Sequence, residues 1–179
     1  MIKNINNFAF CDIIIINQGL NMNKYMKIAI DLSKKFLTNR KHGPFGACVV
    51  KDGKIIGRGS NSVVKNNDPT AHAEIVAIRD ACKKIKSHDL SGCELYTSCY
   101  PCPMCMSAII WSNIKTVYYG NTKKDAANIG FRDDFIYKYI KNLSSGKSGT
   151  KVLKLKSLNH KEAMSAFKAF AKQKSKIMY

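Results

Sequence analysis

Long apolar runs are missing from this 179-residue chain. Their absence excludes a membrane-spanning helix, which needs about twenty such residues. The most apolar stretch near the N-terminus, residues 8–16, is interrupted by Asp12, and no small-x-small cleavage pattern follows it. A secretory signal is therefore not expected. We predict that residues 1–22 form a poorly ordered extension and that residues 23–179 form one globular domain.

Acidic residues and arginine are both scarce. Twelve acidic residues oppose 30 basic ones, which gives a formal net charge of +18 and raises nucleic acid as a partner. Arginine recognises phosphates and bases in bidentate fashion. Only four of the basic residues are arginines, namely Arg40, Arg58, Arg79 and Arg132. Because the lysines are scattered in runs no longer than two, we interpret them as a solvated surface and keep RNA binding as an alternative.

Cysteine occurs seven times, an odd number that does not suit a disulfide framework. Cys99, Cys102 and Cys105 are spaced closely, which is typical of metal ligands. Thiolate ligands persist in a reducing compartment, so we expect a cytoplasmic protein.

Hydrophobic periodicity predicts strands and helices that alternate along the chain. Asp52-Gly53 is a strong signal for a two-residue hairpin turn. The helices are predicted over residues 26–37, from 68 or 69 to 85, and over 102–111, 133–142 and 160–174; the strands over 45–50, 54–60, 94–98, 115–119 and 152–155. This order predicts an α/β fold, with a mixed sheet of about five strands covered by helices on both faces.

Two short motifs carry the chemistry. His72-Ala73-Glu74 is followed some thirty residues later by Pro101-Cys102-Pro103-Met104-Cys105. A catalytic zinc ion takes three protein ligands and leaves one position for water, and His72, Cys102 and Cys105 supply three. Glu74 remains as a carboxylate that can move protons. This combination is typical of a zinc-dependent deaminase.

The two motif cysteines are three residues apart at a predicted helix start, with Pro103 at the first helical position. This spacing places both sulfurs on one face. The positive end of the helix should lower the pKa of both thiols and favour the thiolate form. The alternative is a closed structural zinc site in which Cys99 is the fourth ligand. That alternative leaves Glu74 without a role.

The chain resembles the cytidine-deaminase-like superfamily, and within it the small bacterial guanine deaminases. The matching stretches are residues 43–47, 67–74, 95–99, 101–105 and 130–137. The last stretch, Gly-Phe-Arg-Asp-Asp-Phe-Ile-Tyr, and the aromatic C-terminal tail are the features that resemble guanine deaminases in particular. The resemblance implies a three-layer α/β/α fold, Zn²⁺ as cofactor, and the hydrolysis of guanine to xanthine and ammonia.

The resemblance also implies a substrate-binding set in the first part of the chain. Asn61 would hold the base, Phe45 would stack on the purine, and Ala73 would line the site. Two of these residues have an ordinary structural alternative. Asn61 could simply terminate a strand, and Phe45 could belong to the core.

Further substrate contacts are implied near the C-terminus. Asp133 would contact the leaving amino group, with Asp134 as a rival, and Tyr179 would close the pocket. The resemblance implies a homodimer that exchanges this segment. Asp133 could instead cap a helix, and Tyr179 could belong to a frayed end.

One position departs from the family pattern, because Tyr100 stands where the family usually has Glu before Pro-Cys-x-x-Cys. Tyr100 is not a motif ligand, so zinc binding should survive, while rate and substrate preference could differ. The alternatives to a guanine deaminase are a tRNA adenosine deaminase, another base or nucleoside deaminase such as a cytosine deaminase, and a catalytically silent zinc module that binds RNA.

Overall fold

The computed structural model describes residues 22–145, 152–153 and 155–176. These residues divide into two compact units that meet between Arg132 and Asp133 in the sequence. The predicted extension, apart from Met22, and most of the loop at 144–149 lie outside the described residues. No helix within the described ranges is both long enough and apolar enough to cross a bilayer.

A four-stranded mixed sheet is the centre of the first unit. Its strands are β1 (Gly46–Lys51), β2 (Lys54–Ser60), β3 (Cys93–Cys99) and β4 (Thr116–Asn121), in the order β2-β1-β3-β4. β1 is antiparallel to β2 and β3, and β3 is parallel to β4. The start of β1 and the ends of the other three strands therefore lie at the same edge of the sheet.

The helices flank this sheet or follow it in the chain. Their bounds are α1 (Lys24–Ser33), α2 (Val63–Asn66), α3 (Ala73–Ile85), α4 (Pro103–Trp111), α5 (Lys123–Asn128), α6 (Asp134–Ser144) and α7 (His160–Ala171), and a 3₁₀ turn over Lys34–Leu37 continues α1. α6 and α7 belong to the second unit. The predicted helices and the four strands of the first unit are confirmed, with ends shifted by a few residues.

Two hydrophobic clusters cover opposite faces of the sheet. Ala47, Val49 and Leu95 face the cluster that contains buried residues of α3 and α4. Cys48 and Tyr96 face the cluster that contains Ala29 of α1. Alternate residues of each strand thus point to opposite faces, as the period of two requires. The three-layer α/β/α arrangement expected from the sequence is confirmed.

Local chemistry explains the hairpin and the close packing of α3. Asp52 and Gly53 adopt φ of +48° and +72°, the left-handed values that a type I′ turn needs. On β2, a Cβ at Gly57 would lie 2.3 Å from the Ala77 carbonyl oxygen, and one at Gly59 only 1.9 Å from that of Ala73. Only glycine allows the helix backbone to approach the strand so closely.

Two expectations differ from the structure, and two short helices were missed. The fifth strand at 152–155 is wrong for the described residues, since Val152, Leu153 and Leu155 lie outside any strand and are more than half exposed. α3 begins at Ala73 rather than near Asp68. The Asp68 carboxylate accepts a hydrogen bond from the Thr70 backbone N–H at 2.8 Å, and this local turn competes with helix. The short helices α2 and α5 were not predicted.

Candidate metal and catalytic site

The three predicted metal ligands come together at the edge of the sheet where β3 ends. His72 and Cys102 occupy the N-cap positions of α3 and α4, and Cys105 lies in the first turn of α4. The His72 Nδ1 atom is 3.6 Å from the sulfur of Cys102 and 3.6 Å from that of Cys105. All three ligand atoms lie within 4.8 Å of one another.

These separations fit zinc. Bonds of about 2.3 Å to sulfur and about 2.0 Å to nitrogen at a tetrahedral angle place the two kinds of ligand about 3.5 Å apart. The donor set, one imidazole and two sulfurs, is also the soft set that zinc prefers. Residues of both motifs are therefore placed to hold the ion, and the N-termini of α3 and α4 lie beside the two sulfurs, where they favour the thiolate form.

The two thiols differ in their affinity for a proton. A hydrogen bond from the Cys105 side chain, together with one from His72, lowers the pKa of Cys102 to about 4. The same hydrogen bond and burial raise the pKa of Cys105 above its ordinary value. The sequence predicted a lowered pKa for both thiols. Because the sulfurs are adjacent, a negative charge on Cys102 favours the protonated form of Cys105, and a zinc ion held by both sulfurs would take the place of that proton.

Glu74 lies beside the ligands and is almost fully buried. Its Oε1 atom accepts a hydrogen bond of 3.3 Å from the Thr97 hydroxyl, and its Oε2 atom one of 3.4 Å from the Cys105 thiol. Burial raises the pKa of the Glu74 carboxyl above its usual value. Glu74 is the second residue of α3, so it does not occupy the third-position site of a capping box.

Cys99 is not part of the ligand cluster among the described residues. Its thiol donates to the carbonyl oxygen of Thr122 at 3.6 Å. The closed four-ligand alternative is therefore not supported by the described residues, and three protein ligands leave one position of a tetrahedral zinc ion for a non-protein ligand.

Asn61 follows β2 and is buried, with its backbone held from two sides. Its N–H donates to the Phe45 carbonyl at 2.9 Å, and its carbonyl accepts from the Gly43 N–H at 3.2 Å. The His42 ring nitrogen Nδ1 lies 2.9 Å from the same carbonyl oxygen. The side-chain Oδ1 accepts from the Val63 N–H at 3.3 Å, so the amide nitrogen Nδ2 remains as a donor.

Phe45 and Ala73 also lie in the first unit. Phe45 is partly buried, packs against the core cluster, and makes an edge-to-face contact with Phe131, the ring centroids being 4.9 Å apart. Ala73 is fully buried and is the first residue of α3. The backbone N–H of a first helical residue has no hydrogen-bond acceptor within its own helix, so the Ala73 N–H can donate to another group.

The remaining predicted site residues belong to the second unit or lie outside the described residues. Asp133 occupies the N-cap position of α6, although its side chain makes no capping hydrogen bond. Asp134 is the first residue of that helix. Tyr179 is outside the described residues.

Sequence reasoning overlooked several supporting residues. Thr97 bonds Glu74 across 23 positions of the chain, and His42 reaches Asn61 across 19. The only sequence signal for Thr97 was the alternation of residues along β3, which places Thr97 on the same face of the sheet as Leu95. Asp68 and Arg79 brace the segment that leads to His72, with an ion pair of 3.4 Å.

Several known proteins are similar to this chain in sequence or in fold. Residues 21–121 match the cytidine and deoxycytidylate deaminase zinc-binding region. The guanine deaminase of Bacillus subtilis is 50% identical over 121 residues, which are 68% of this chain and 78% of that protein. The X-ray structure of guanine deaminase from Bacillus subtilis matches with a TM-score of 0.79 at 42% identity, covering 88% of this chain and 99% of that chain.

Two further relatives extend the comparison. A structure of guanine deaminase from Nitrosomonas europaea has a TM-score of 0.58 at 35% identity and covers 61% of this chain and 63% of that chain. The tRNA-specific adenosine deaminase of Aquifex aeolicus is 40% identical over 100 residues, which are 56% of this chain and 66% of that protein. Since the family region spans more than half of the sequence and contains the converging ligands, this chain belongs to the cytidine and deoxycytidylate deaminase family and is a zinc-dependent hydrolytic deaminase.

Proposed function

We propose that the substrate is guanine and that the products are xanthine and ammonia. The observation that carries this proposal is the extent of the match to the Bacillus subtilis guanine deaminase structure, 88% of this chain. Residues 1–132 make up less than three quarters of the chain, so that match extends into residues 133–179. The match to the solved structure of a tRNA:A34 deaminase covers 55% of the chain, which the first unit alone can accommodate.

Glu74 is the proposed proton carrier. Bound zinc supplies a Lewis acid that makes a water nucleophilic. Once Cys105 serves as a thiolate ligand it no longer donates to Glu74 Oε2, and that oxygen becomes available to accept the proton of the water. Thr97 holds the other carboxylate oxygen and fixes its orientation. The oxygen of the water bonds to C2 of guanine, Glu74 returns the proton to the amino group on that carbon, and the C2–N bond breaks to release ammonia.

Asn61 is proposed to position the base. With Oδ1 engaged by the Val63 N–H, its Nδ2 group donates to an acceptor on the purine. The Ala73 N–H is a second donor, and Phe45 provides an aromatic surface for stacking. A site that pairs with the polar edge of its substrate rejects a base lacking that edge by about 10⁴-fold or more.

The C-terminal part of the chain is proposed to complete the pocket. Asp133, or Asp134 in its place, would contact the leaving amino group, and Tyr179 would close the site. We further propose a cytoplasmic homodimer that exchanges this segment, residues 23–179 being the catalytic domain and residues 1–22 an extension.

Substrate comparison tests the proposal directly. Purified protein is incubated with guanine, adenine, cytosine and their nucleosides, and ammonia release is followed together with xanthine absorbance. The expected result is turnover of guanine, with much slower release from the others. Turnover of adenine or cytosine without guanine activity would contradict it.

A tRNA adenosine deaminase is the second candidate, because the net charge is +18. Inosine formation in an RNA stem-loop, with binding that weakens steeply as salt rises, would favour it. The silent zinc module is separated from both enzymes by the absence of ammonia release from every substrate.

A further inference from the structure

Tyr100 lies between the end of β3 and the ligand Cys102, and three contacts hold it. Its backbone N–H donates to the Asn121 carbonyl at the end of β4, at 2.8 Å. Its ring meets the Tyr119 ring edge-to-face, with centroids 5.0 Å apart at 77°. The Lys123 ammonium group lies 4.5 Å from the centroid of the Tyr100 ring. The residue that precedes the ligand segment is therefore attached to the junction of β4 and α5.

That junction is itself well defined. Thr122 and Asp125 form a reciprocal capping box at the start of α5. The Thr122 carbonyl accepts the Cys99 thiol at 3.6 Å. The backbone of Thr122 and the side chain of Lys123 thus contact the chain on either side of the bond that joins Cys99 to Tyr100. These contacts hold the segment that leads to Cys102 against the end of β4 and the start of α5.

We propose that Tyr100 is a positioning residue for the metal ligand Cys102. Its ring, held between Tyr119 and Lys123, keeps the ligand segment in the geometry that binds zinc before the ion arrives. Supporting partners of metal ligands commonly change metal affinity by about 10–100-fold. The inference rests on the proposed function only through the identity of the ligands, and it is independent of the substrate.

A purely structural role gives a different result. If Tyr100 only fills space, its removal lowers the melting temperature while the folded protein binds zinc as before. If Lys123 acts only through its charge, its neutralisation tightens zinc binding, because a positive charge that repels the cation has been removed. If Lys123 holds the ring, its neutralisation weakens zinc binding.

The experiment is a zinc competition titration of the full chain against a chromophoric chelator, with circular dichroism as a check of folding. Tyr100→Ala should weaken zinc affinity by about 10-fold or more, and Tyr100→Phe, which keeps the ring, should remain within about twofold. Lys123→Met should weaken it by about two- to fivefold, the range expected for loss of a cation–π contact.

Lys24→Met is the matched control. The Lys24 ammonium lies 4.8 Å from the Tyr25 ring centroid. Both residues belong to α1, which covers the face of the sheet opposite to α4. The zinc affinity of the Lys24→Met variant should therefore equal that of the unmodified protein. The proposal would be overturned if a folded Tyr100→Ala variant bound zinc as tightly as the unmodified protein, or if Lys123→Met bound zinc more tightly. If Tyr100→Ala does not fold, the Lys123→Met titration decides, and zinc affinity equal to that of the unmodified protein overturns the proposal. Failure to deaminate guanine does not alter any of these readouts.

Discussion

Residues 22–132 and residues 133–176 differ in how they bury their apolar side chains. The first unit encloses two clusters of buried residues and contains every ligand of the candidate metal site. In the second unit, α6 and α7 contain no buried residue, and Phe167 of α7 is 72% exposed. The candidate metal site thus belongs to a unit with a packed core, whereas the proposed pocket closure is assigned to a unit whose helices α6 and α7 bury no residue.

Loss of a ligand should have the largest effect on the first unit. Cys105→Ala should abolish zinc binding and turnover together, because two donors hold the ion far less well than three. Cys99→Ala is the matched control, since its thiol bonds a carbonyl instead of joining the cluster. Elemental analysis and ammonia release measure both variants. Equal loss of zinc in the two variants would contradict the three-ligand site.

Replacement of the proton carrier should separate chemistry from metal binding. Glu74→Gln keeps the side-chain shape and should lower kcat for guanine by about 10²–10⁴-fold, with zinc content unchanged. Steady-state kinetics and metal analysis on one preparation measure both. Unchanged turnover would remove Glu74 from its assigned role.

Shortening the second unit should affect catalysis more than folding. Deletion of the last few residues through Tyr179 should lower kcat/KM for guanine by about 10-fold or more, equivalent to about 1.4 kcal/mol of transition-state stabilisation. Zinc content and the unfolding midpoint should remain those of the full chain. Kinetics on guanine that match the full chain would contradict closure of the pocket by the tail.

A methyl group between β2 and α3 should strain the first unit. In Gly59→Ala the new Cβ would meet the Ala73 carbonyl oxygen at 1.9 Å, and such overpacking costs about 1–3 kcal/mol of unfolding free energy. Gly92→Ala is the comparison, because its φ of +76° is strained but no neighbouring atom lies within 4 Å. Urea unfolding should show the larger loss for Gly59→Ala, and the reverse order would contradict the close contact.

The smallest expected effect concerns pH. Hydrogen bonds from Thr70 lower the pKa of Asp68 below its ordinary value. Asp68 therefore stabilises the fold at pH values above the pKa of an unfolded carboxyl, and this contribution disappears as pH falls through the lowered folded pKa. Asp68→Asn should reduce the rise in unfolding free energy between about pH 3 and about pH 6. An unchanged acid profile would contradict the contribution.

Local chemistry explains which parts of the fold the sequence predicted. Asp52-Gly53 specified the hairpin because its backbone angles are a local property, and Pro103 marked the start of α4 for the same reason. The three candidate metal ligands were predicted from residue type and spacing, and the structure brings them together. The capping box of Thr122 and Asp125 was also a local signal, but it was overlooked.

Long-range contacts explain most of what the sequence could not predict. Thr97 supports Glu74, His42 supports Asn61, and Cys99 bonds Thr122 only because the sheet brings distant segments together. The contrast between the pKa values of Cys102 and Cys105 likewise depends on how close their sulfurs lie in the folded chain.

X-ray absorption spectroscopy of the purified protein, combined with elemental analysis, tests the central claim most directly. We predict one zinc per chain, with two sulfur ligands, one imidazole and one further light atom in the coordination sphere. A protein that contains no zinc after isolation, or zinc coordinated by three or four sulfurs, would contradict the account.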